Sequence, residues 1–252
     1  MTQANLRLTL RHQAPKNTGR AGWCILHSEE SGDPAQTGII VVEIREKHWS
    51  WGASERVDIL APRIDCVLQA ARNIGLQIIH APSDTMAFYR DHPARHWVLS
   101  LPRVEPPPLA DHEDPPLPID DSDQGSDTGE GRPSRPWTRQ HPAIGIEAED
   151  AISDDGQEVY NVLARKGLKN LIFMGVHANM CVLNRPFAIK RMVRWGFDVV
   201  LARDLTDAMY NPLRPPYVSH DEGTRLVIEY IEKFWCPTMS SDDITAPREA
   251  VG

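Results

Sequence analysis

The chain has 252 residues, with 27 basic and 35 acidic side chains, a formal charge of −8 and a pI of about 5.7. It is long enough to bury the core of one α/β domain, and its acidity excludes the broad basic face with which nucleic-acid binders meet phosphates. No apolar run approaches the ~18 residues of a membrane span, Met1 to Arg11 lacks the apolar core of a secretory signal, and four irregularly spaced cysteines suit neither a disulfide scaffold nor a zinc site. A cytoplasmic protein without nucleic-acid or membrane partners is expected.

Leu6 to Arg11 and Trp23 to His27 predict an edge hairpin within an N-terminal extension over 1–37. Gly38 to Ile44 is a β-branched run, the mark of a strand buried on both faces. Pro62 to Asn73 predicts a helix, with Pro62 in its first turn, Ile64, Val67, Leu68 and Ala71 on one face, and Gly75 as its stop. Leu76 to His80 is the next strand, and Ser83 is placed to cap a helix through Phe88 and Tyr89. Composition then shifts. Residues 103–136 hold eight of the 21 prolines and nine acids against three arginines, so this window carries most of the net charge. Such a stretch buries too little apolar surface to offset its ordering entropy. It reads as an insertion within one domain, a solvated surface loop or a lid.

After the insertion, Asp155 and Glu158 form a capping-box pattern ahead of Val159, Val162 and Leu163, and Gly167 ends that helix. Leu171 to Val176 is a third apolar strand, Cys181 to Arg194 a helix, Phe197 to Ala202 a fourth strand, and Thr224 to Phe234 a closing amphipathic helix. Residues 237–252 read as a flexible tail. The alternation predicts a single α/β domain over 38–236, a mostly parallel, Rossmann-like three-layer arrangement with helices on both sheet faces. Ligands of such sheets bind beyond the carboxyl ends of the strands. That directs attention to the loops after Glu43, His80 and Val176.

The segment Gly175-Val-His-Ala-Asn-Met-Cys181 lies at such a strand end. A thiol opening a helix feels the positive end of the helix dipole and free backbone N–H groups, which favour thiolate and can hold an oxyanion. The competing reading, a small buried hydrophobe, is preferred for Cys24, Cys66 and Cys236.

Gly38 to Ile44, Ala164 to Val182 (ARKGLKNLIFMGVHANMCV) and Val199 to Asp204 (VVLARD) together resemble the isochorismatase-like cysteine hydrolases, a superfamily that includes nicotinamidases and N-carbamoyl amidohydrolases. HAPSDT, WTRQHP and RDLTDAMYNP suggest a divergent branch. The resemblance implies an aspartate–lysine–cysteine triad, a non-proline cis peptide between Val176 and His177, and a homo-oligomer. The cysteine carries over to Cys181, and Glu43 stands where the family has its aspartate. The lysine has no counterpart, for none occurs between Lys47 and Lys166. Counting back from Cys181 leads either to Ala148, between two glutamates, or to Arg139, which can stabilise an anion but cannot shuttle protons.

The expected catalytic set is therefore Cys181, Glu43 and Arg139. His177, Ala178 and Asn179, with His48 and Trp49, are the expected oxyanion and substrate contacts. The family's metal motif is not matched by His48, His80, Asp84, His92, His96, His141 and His177, so neither metal nor cofactor is assigned. Two functions stay open: a cysteine hydrolase of a small amide or related C–N substrate, or a non-catalytic binder of small molecules that keeps the fold.

Overall fold

The computed structural model describes residues 6–17, 21–130 and 134–246. In chain order the elements are β1 (Leu6–Pro15), β2 (Trp23–Gly32), β3 (Thr37–Val42), α1 (Trp51–Asn73), β4 (Gln77–Ala81), α2 (Pro93–Ser100), β5 (Ala151–Ile152), α3 (Gly156–Lys166), β6 (Asn170–Val176), α4 (Cys181–Asn184), α5 (Ile189–Arg194), β7 (Asp198–Asp207), α6 (His220–Phe234), β8 (Thr238–Met239) and α7 (Asp242–Thr245). One eight-stranded sheet runs β2-β1-β8-β7-β6-β3-β4-β5, parallel from β8 to β5, with the expected antiparallel hairpin at its other edge.

The period of two along β3 decides the layers. Ile39 and Val41 face α1, together with Ile64, Leu68 and Met174. Ile40 and Val42 face the opposite side, with Val159, Val162, Ile189 and Ile231 of α3, α5 and α6. Each fully buried branched side chain here contributes roughly 1.5–3 kcal/mol relative to exposure. Among the described residues no helix is long and apolar enough to cross a membrane.

Several expectations are corrected. The first helix starts at Trp51, not Pro62, capped by Ser50. Pro62 sits in its interior on the exposed face, where water can solvate the carbonyl that the ring leaves unbonded. Cys66 lies outside the apolar stripe and is exposed. Ser83 caps no helix, because residues 84–91 form turns, and the helix that follows is capped by His92. The helix from Cys181 breaks into α4 and α5, since Pro186 cannot continue it. The tail begins inside the sheet: β8 lies between β1 and β7, and α7 follows it, while 247–252 lie outside the described residues.

The acidic insertion is a surface loop, one of the two forms expected of it. Residues 103–130 contain no helix or strand, yet they are fastened to the domain. Asp114 holds Lys190 at 2.7 Å, Asp120 accepts from Arg214 at 2.6 Å, and Asp121 accepts from Asn179 at 2.8 Å. Asp123 accepts from Asn211, Asp127 from Arg56, and Glu130 from the Trp51 amide. Its composition forbids a hydrophobic core of its own, but six of its nine acids meet a donor on the domain. Gly125 allows the closest approach: its φ is +70°, and a Cβ there would stand 2.3 Å from the Met209 carbonyl oxygen.

Candidate active site

The loops after β3, β4 and β6 meet at the carboxyl edge of the sheet, as expected. Glu43, just past β3, has φ +56°, a left-handed conformation costing a non-glycine residue about 1–3 kcal/mol. Its carboxylate is buried and held three ways. Oε1 accepts from Arg185 Nε at 2.8 Å, and Oε2 accepts from the Ser83 amide at 3.2 Å and faces Arg45 Nη1 at 3.2 Å. Gly175, in β6, has φ +117°, and any Cβ would lie 2.0 Å from the Val42 carbonyl oxygen. Only glycine lets β6 pass this close to β3 and deliver the next loop beside Glu43. The Val176–His177 peptide is cis, as the resemblance implies.

Cys181 opens α4 behind that bond. Four residues on, at helical spacing, Arg185 lies on the same side of the turn, where its charge and a hydrogen bond act on the thiol as well as on Glu43. The cations beside Glu43 are thus Arg185 and Arg45, one on each carboxylate oxygen, and not Arg139. Arg139 instead donates to Glu46 at 2.9 Å and lies over the Phe88 ring, 41% of its side chain exposed. The thiol differs from expectation too. Burial, reinforced by the Glu43 charge, pushes it above its ordinary value, and Arg185 and Arg45 recover only part of that shift. A four-residue helix carries too little aligned dipole to reverse this. Cys181 therefore rests as a thiol.

Among the described residues, no hydrogen bond takes up the amide N–H of His177 or of Cys181. Both remain available to an oxyanion. Ala178 and Asn179 are not available in this way. The Ala178 amide donates to the Asp207 carbonyl at 2.7 Å, and the Asn179 side chain is spent on Asp121 and Met209. Both residues position the loop.

His48 stands between His177, with ring centroids 5.1 Å apart, and Trp137, stacked at 5.9 Å. Burial and the Arg45 charge lower His48 to about 4, and burial beside His48 lowers His177 well below its ordinary value, so both imidazoles are neutral at pH 7. His48 Nδ1 accepts from the Ser50 amide, which assigns its proton to Nε2. Trp49 packs on His48, whereas Trp51 points out on α1, 72% exposed. Sequence reading missed Trp137, whose ring lies 3.6 Å from the Arg45 guanidinium, although its WTRQHP segment was marked as distinctive. Arg45 Nε, Ser83 Oγ, Trp137 Nε1 and His177 Nε2 are buried without partners among the described residues. Arg45 and Ser83 touch Glu43 itself, Trp137 lies on Arg45, and His177 lies against His48.

A second charged cluster adjoins the loop from His177 to Cys181. Asp207, at the end of β7, accepts from Arg56 Nε at 2.8 Å, from Thr224 at 3.1 Å, and bonds His220 Nε2 at 2.8 Å. Arg56 also donates to Asp127 of the insertion at 2.7 Å. Burial opposes the Asp207 charge, yet the His220 hydrogen bond and charge hold its carboxyl down at about 2. Asp207 in turn raises His220 above its ordinary value against the burial that would lower it. Three of the other histidines considered for a metal have structural partners: His80 bridges Gln140 and Asp150, His92 caps α2, and His141 meets Asp58.

No family model and no curated protein matches the chain. Solved structures do. A cysteine hydrolase from Pseudomonas syringae pv. phaseolicola 1448A is 18% identical, with 85% of this chain and 92% of that one covered and a TM-score of 0.53. A protein described as a putative isochorismatase, from Burkholderia xenovorans LB400, is 14% identical, with 84% and 86% covered and a TM-score of 0.51. The likeness to the first extends over nearly all of both chains and shows architecture, not chemistry. The chain has the isochorismatase-like α/β fold.

Proposed function

We propose that the protein is a cysteine hydrolase acting on a small amide or related C–N substrate. Cys181 Sγ attacks the carbonyl carbon while Glu43 takes the thiol proton. The amides of His177 and Cys181 hold the oxyanion, and the amine leaves with the proton returned by Glu43. Glu43 then deprotonates a water, which cleaves the thioester to give the acid and the free thiol. Arg185 keeps the carboxylate aimed and steadies the sulfur as it gains charge. As a guanidinium it cannot take the proton itself. Because Cys181 rests as a thiol, the base acts in the acylation step, which gives Glu43 a role even beside two arginines.

The observation that carries this reading is the Glu43–Arg185–Cys181 cluster at the loop after the cis bond, with two amide donors unused. The partnerless donors of Arg45 and Trp137 suit a substrate rich in oxygen acceptors. Trp51 and Phe88, 72% and 56% exposed, suit burial by a second copy in a homo-oligomer. Ammonia release from nicotinamide, N-carbamoylglycine and succinamate tests the reaction. Release from at least one of them, lost in Cys181→Ala, is expected; a rate unchanged in Cys181→Ala, or no release from any of the three, would overturn it.

A further inference from the structure

Beside the candidate active site lies a cleft of about 180 Å³ lined by Asn184, Arg185, Lys190, Arg191 and Arg194. In a chain with a formal charge of −8, a cavity lined by four cations and one amide, with no acid among its lining residues, concentrates positive potential in one place. Two of the cations are already matched, Lys190 by Asp114 at 2.7 Å and Arg185 by Glu43 at 2.8 Å. Arg191 and Arg194 form no ion pair among the described residues; Arg191 lies over the Trp195 ring, 5.5 Å from its centroid.

Arg194 is also held in place. Its Nε donates to the Ala110 carbonyl at 2.9 Å, and its own carbonyl accepts from the Ala110 amide at 2.9 Å, a two-point clamp from the insertion. The terminal nitrogens of its guanidinium meet no acceptor among the described residues. A planar fork fixed at its stem and unsatisfied at its tips is preorganised for the paired oxygens of a carboxylate or phosphate. Arg185 joins the two places. It touches Glu43 and the Cys181 thiol, and it is also one wall of the cleft. A group seated in the cleft is therefore separated from the nucleophile by one side chain.

We propose that the amide turned over at Cys181 carries an anionic group, a carboxylate or a phosphate, and that this cleft holds it. The inference rests on the catalytic reading above for the reaction, and on Arg191 and Arg194 for the choice of substrate. The cleft has room for the anion and a few methylenes, which suits a monoamide of a small dicarboxylic acid or a phosphorylated amide.

Two arms test the proposal on the full chain. The first titrates wild type and the Arg191→Gln/Arg194→Gln double variant with succinate and with inorganic phosphate by calorimetry. Saturable binding of one anion, weakened at least tenfold in the double variant, is expected, and the tighter anion identifies the group. No binding to wild type, or equal binding to both proteins, would overturn the cleft. The second arm compares succinamate with its uncharged methyl ester. A kcat/KM ratio of at least ten in favour of the anion is expected, falling toward one in the double variant through KM. A ratio near one in wild type would overturn the substrate class. A chain that binds anions at these arginines but hydrolyses no amide would keep the anion site and refute the catalytic reading instead.

Discussion

Two charged clusters flank the loop from His177 to Cys181, and they are built oppositely. Around Asp207 the charges are matched: one carboxylate takes Arg56, His220 and Thr224, and Asp127 takes the other side of Arg56. Around Glu43 they are not. One carboxylate faces Arg45 and Arg185, the thiol beside it rests uncharged, and two buried polar atoms on residues that touch it, Arg45 Nε and Ser83 Oγ, lack partners among the described residues. A matched cluster fastens the chain, here the insertion and the end of β7. An unmatched one holds unspent donors and charge, which is the expected condition of a site that awaits a substrate. Proximity to this loop does not separate the two clusters, whereas their satisfaction does.

Substitutions should split along this line. Glu43→Gln is expected to lower kcat/KM for the amide substrate by about 10²–10⁴, the largest effect on turnover after loss of the sulfur. Asp207→Asn, which strips a buried carboxylate from Arg56 and His220, is expected to cost about 3–5 kcal/mol of stability, read by urea denaturation. Were Asp207→Asn to abolish turnover without destabilising the fold, the division would be wrong.

The matched cluster also has a pH signature. Asp207 is depressed from 3.8 to about 2, so its contribution is complete above pH 3.8 and is lost as pH falls through about 2. His220 is raised from 6.5, so its contribution is complete below that value and is lost as pH rises through the raised one. The stability difference between wild type and Asp207→Asn should therefore be greatest between about pH 4 and 6.5. A difference flat from pH 3 to 9 would show that these groups do not form the clasp.

A smaller test sharpens the unmatched side. Alkylation of Cys181 by iodoacetamide should be slow at pH 7, because burial and Glu43 raise the thiol. Arg185→Gln removes a group that lowers the thiol and should slow the reaction further. Glu43→Gln removes one that raises it and should speed alkylation severalfold, while turnover falls. Those opposite signs in one variant separate a proton acceptor from a merely structural carboxylate. Least of all, Arg139→Gln should change stability by about 1 kcal/mol or less and leave the thiol's reactivity unchanged, as a half-exposed partner of Glu46.

Much of this arrangement was legible in the letters. The strands from Gly38, Leu76 and Leu171 announce themselves because burial on both faces demands continuous β-branched and apolar runs, and their ends locate Glu43 and Cys181. The cation was misplaced because it was sought before the cysteine. The i, i+4 spacing from Cys181 to Arg185 was readable, but Pro186 obscured it by dividing a helix that seemed continuous. Trp137 could not be placed, since its position depends on how the insertion returns across the sheet edge, a long-range matter with no local periodicity. The insertion was legible only in part for a related reason: composition reports the lack of a hydrophobic core, but not that its acids would find Lys190, Arg214, Asn211 and Arg56 far along the chain. Cys66 was misjudged by a simple phase error on α1.

The most direct measurement is the mass of the protein after brief incubation with p-nitrophenyl acetate, followed by peptide mapping. One acetyl group on Cys181, appearing with the burst of p-nitrophenol and disappearing as the thioester hydrolyses, is the predicted result. Acetylation confined to the exposed Cys66, with Cys181 unmodified, would contradict a nucleophile at the end of β6.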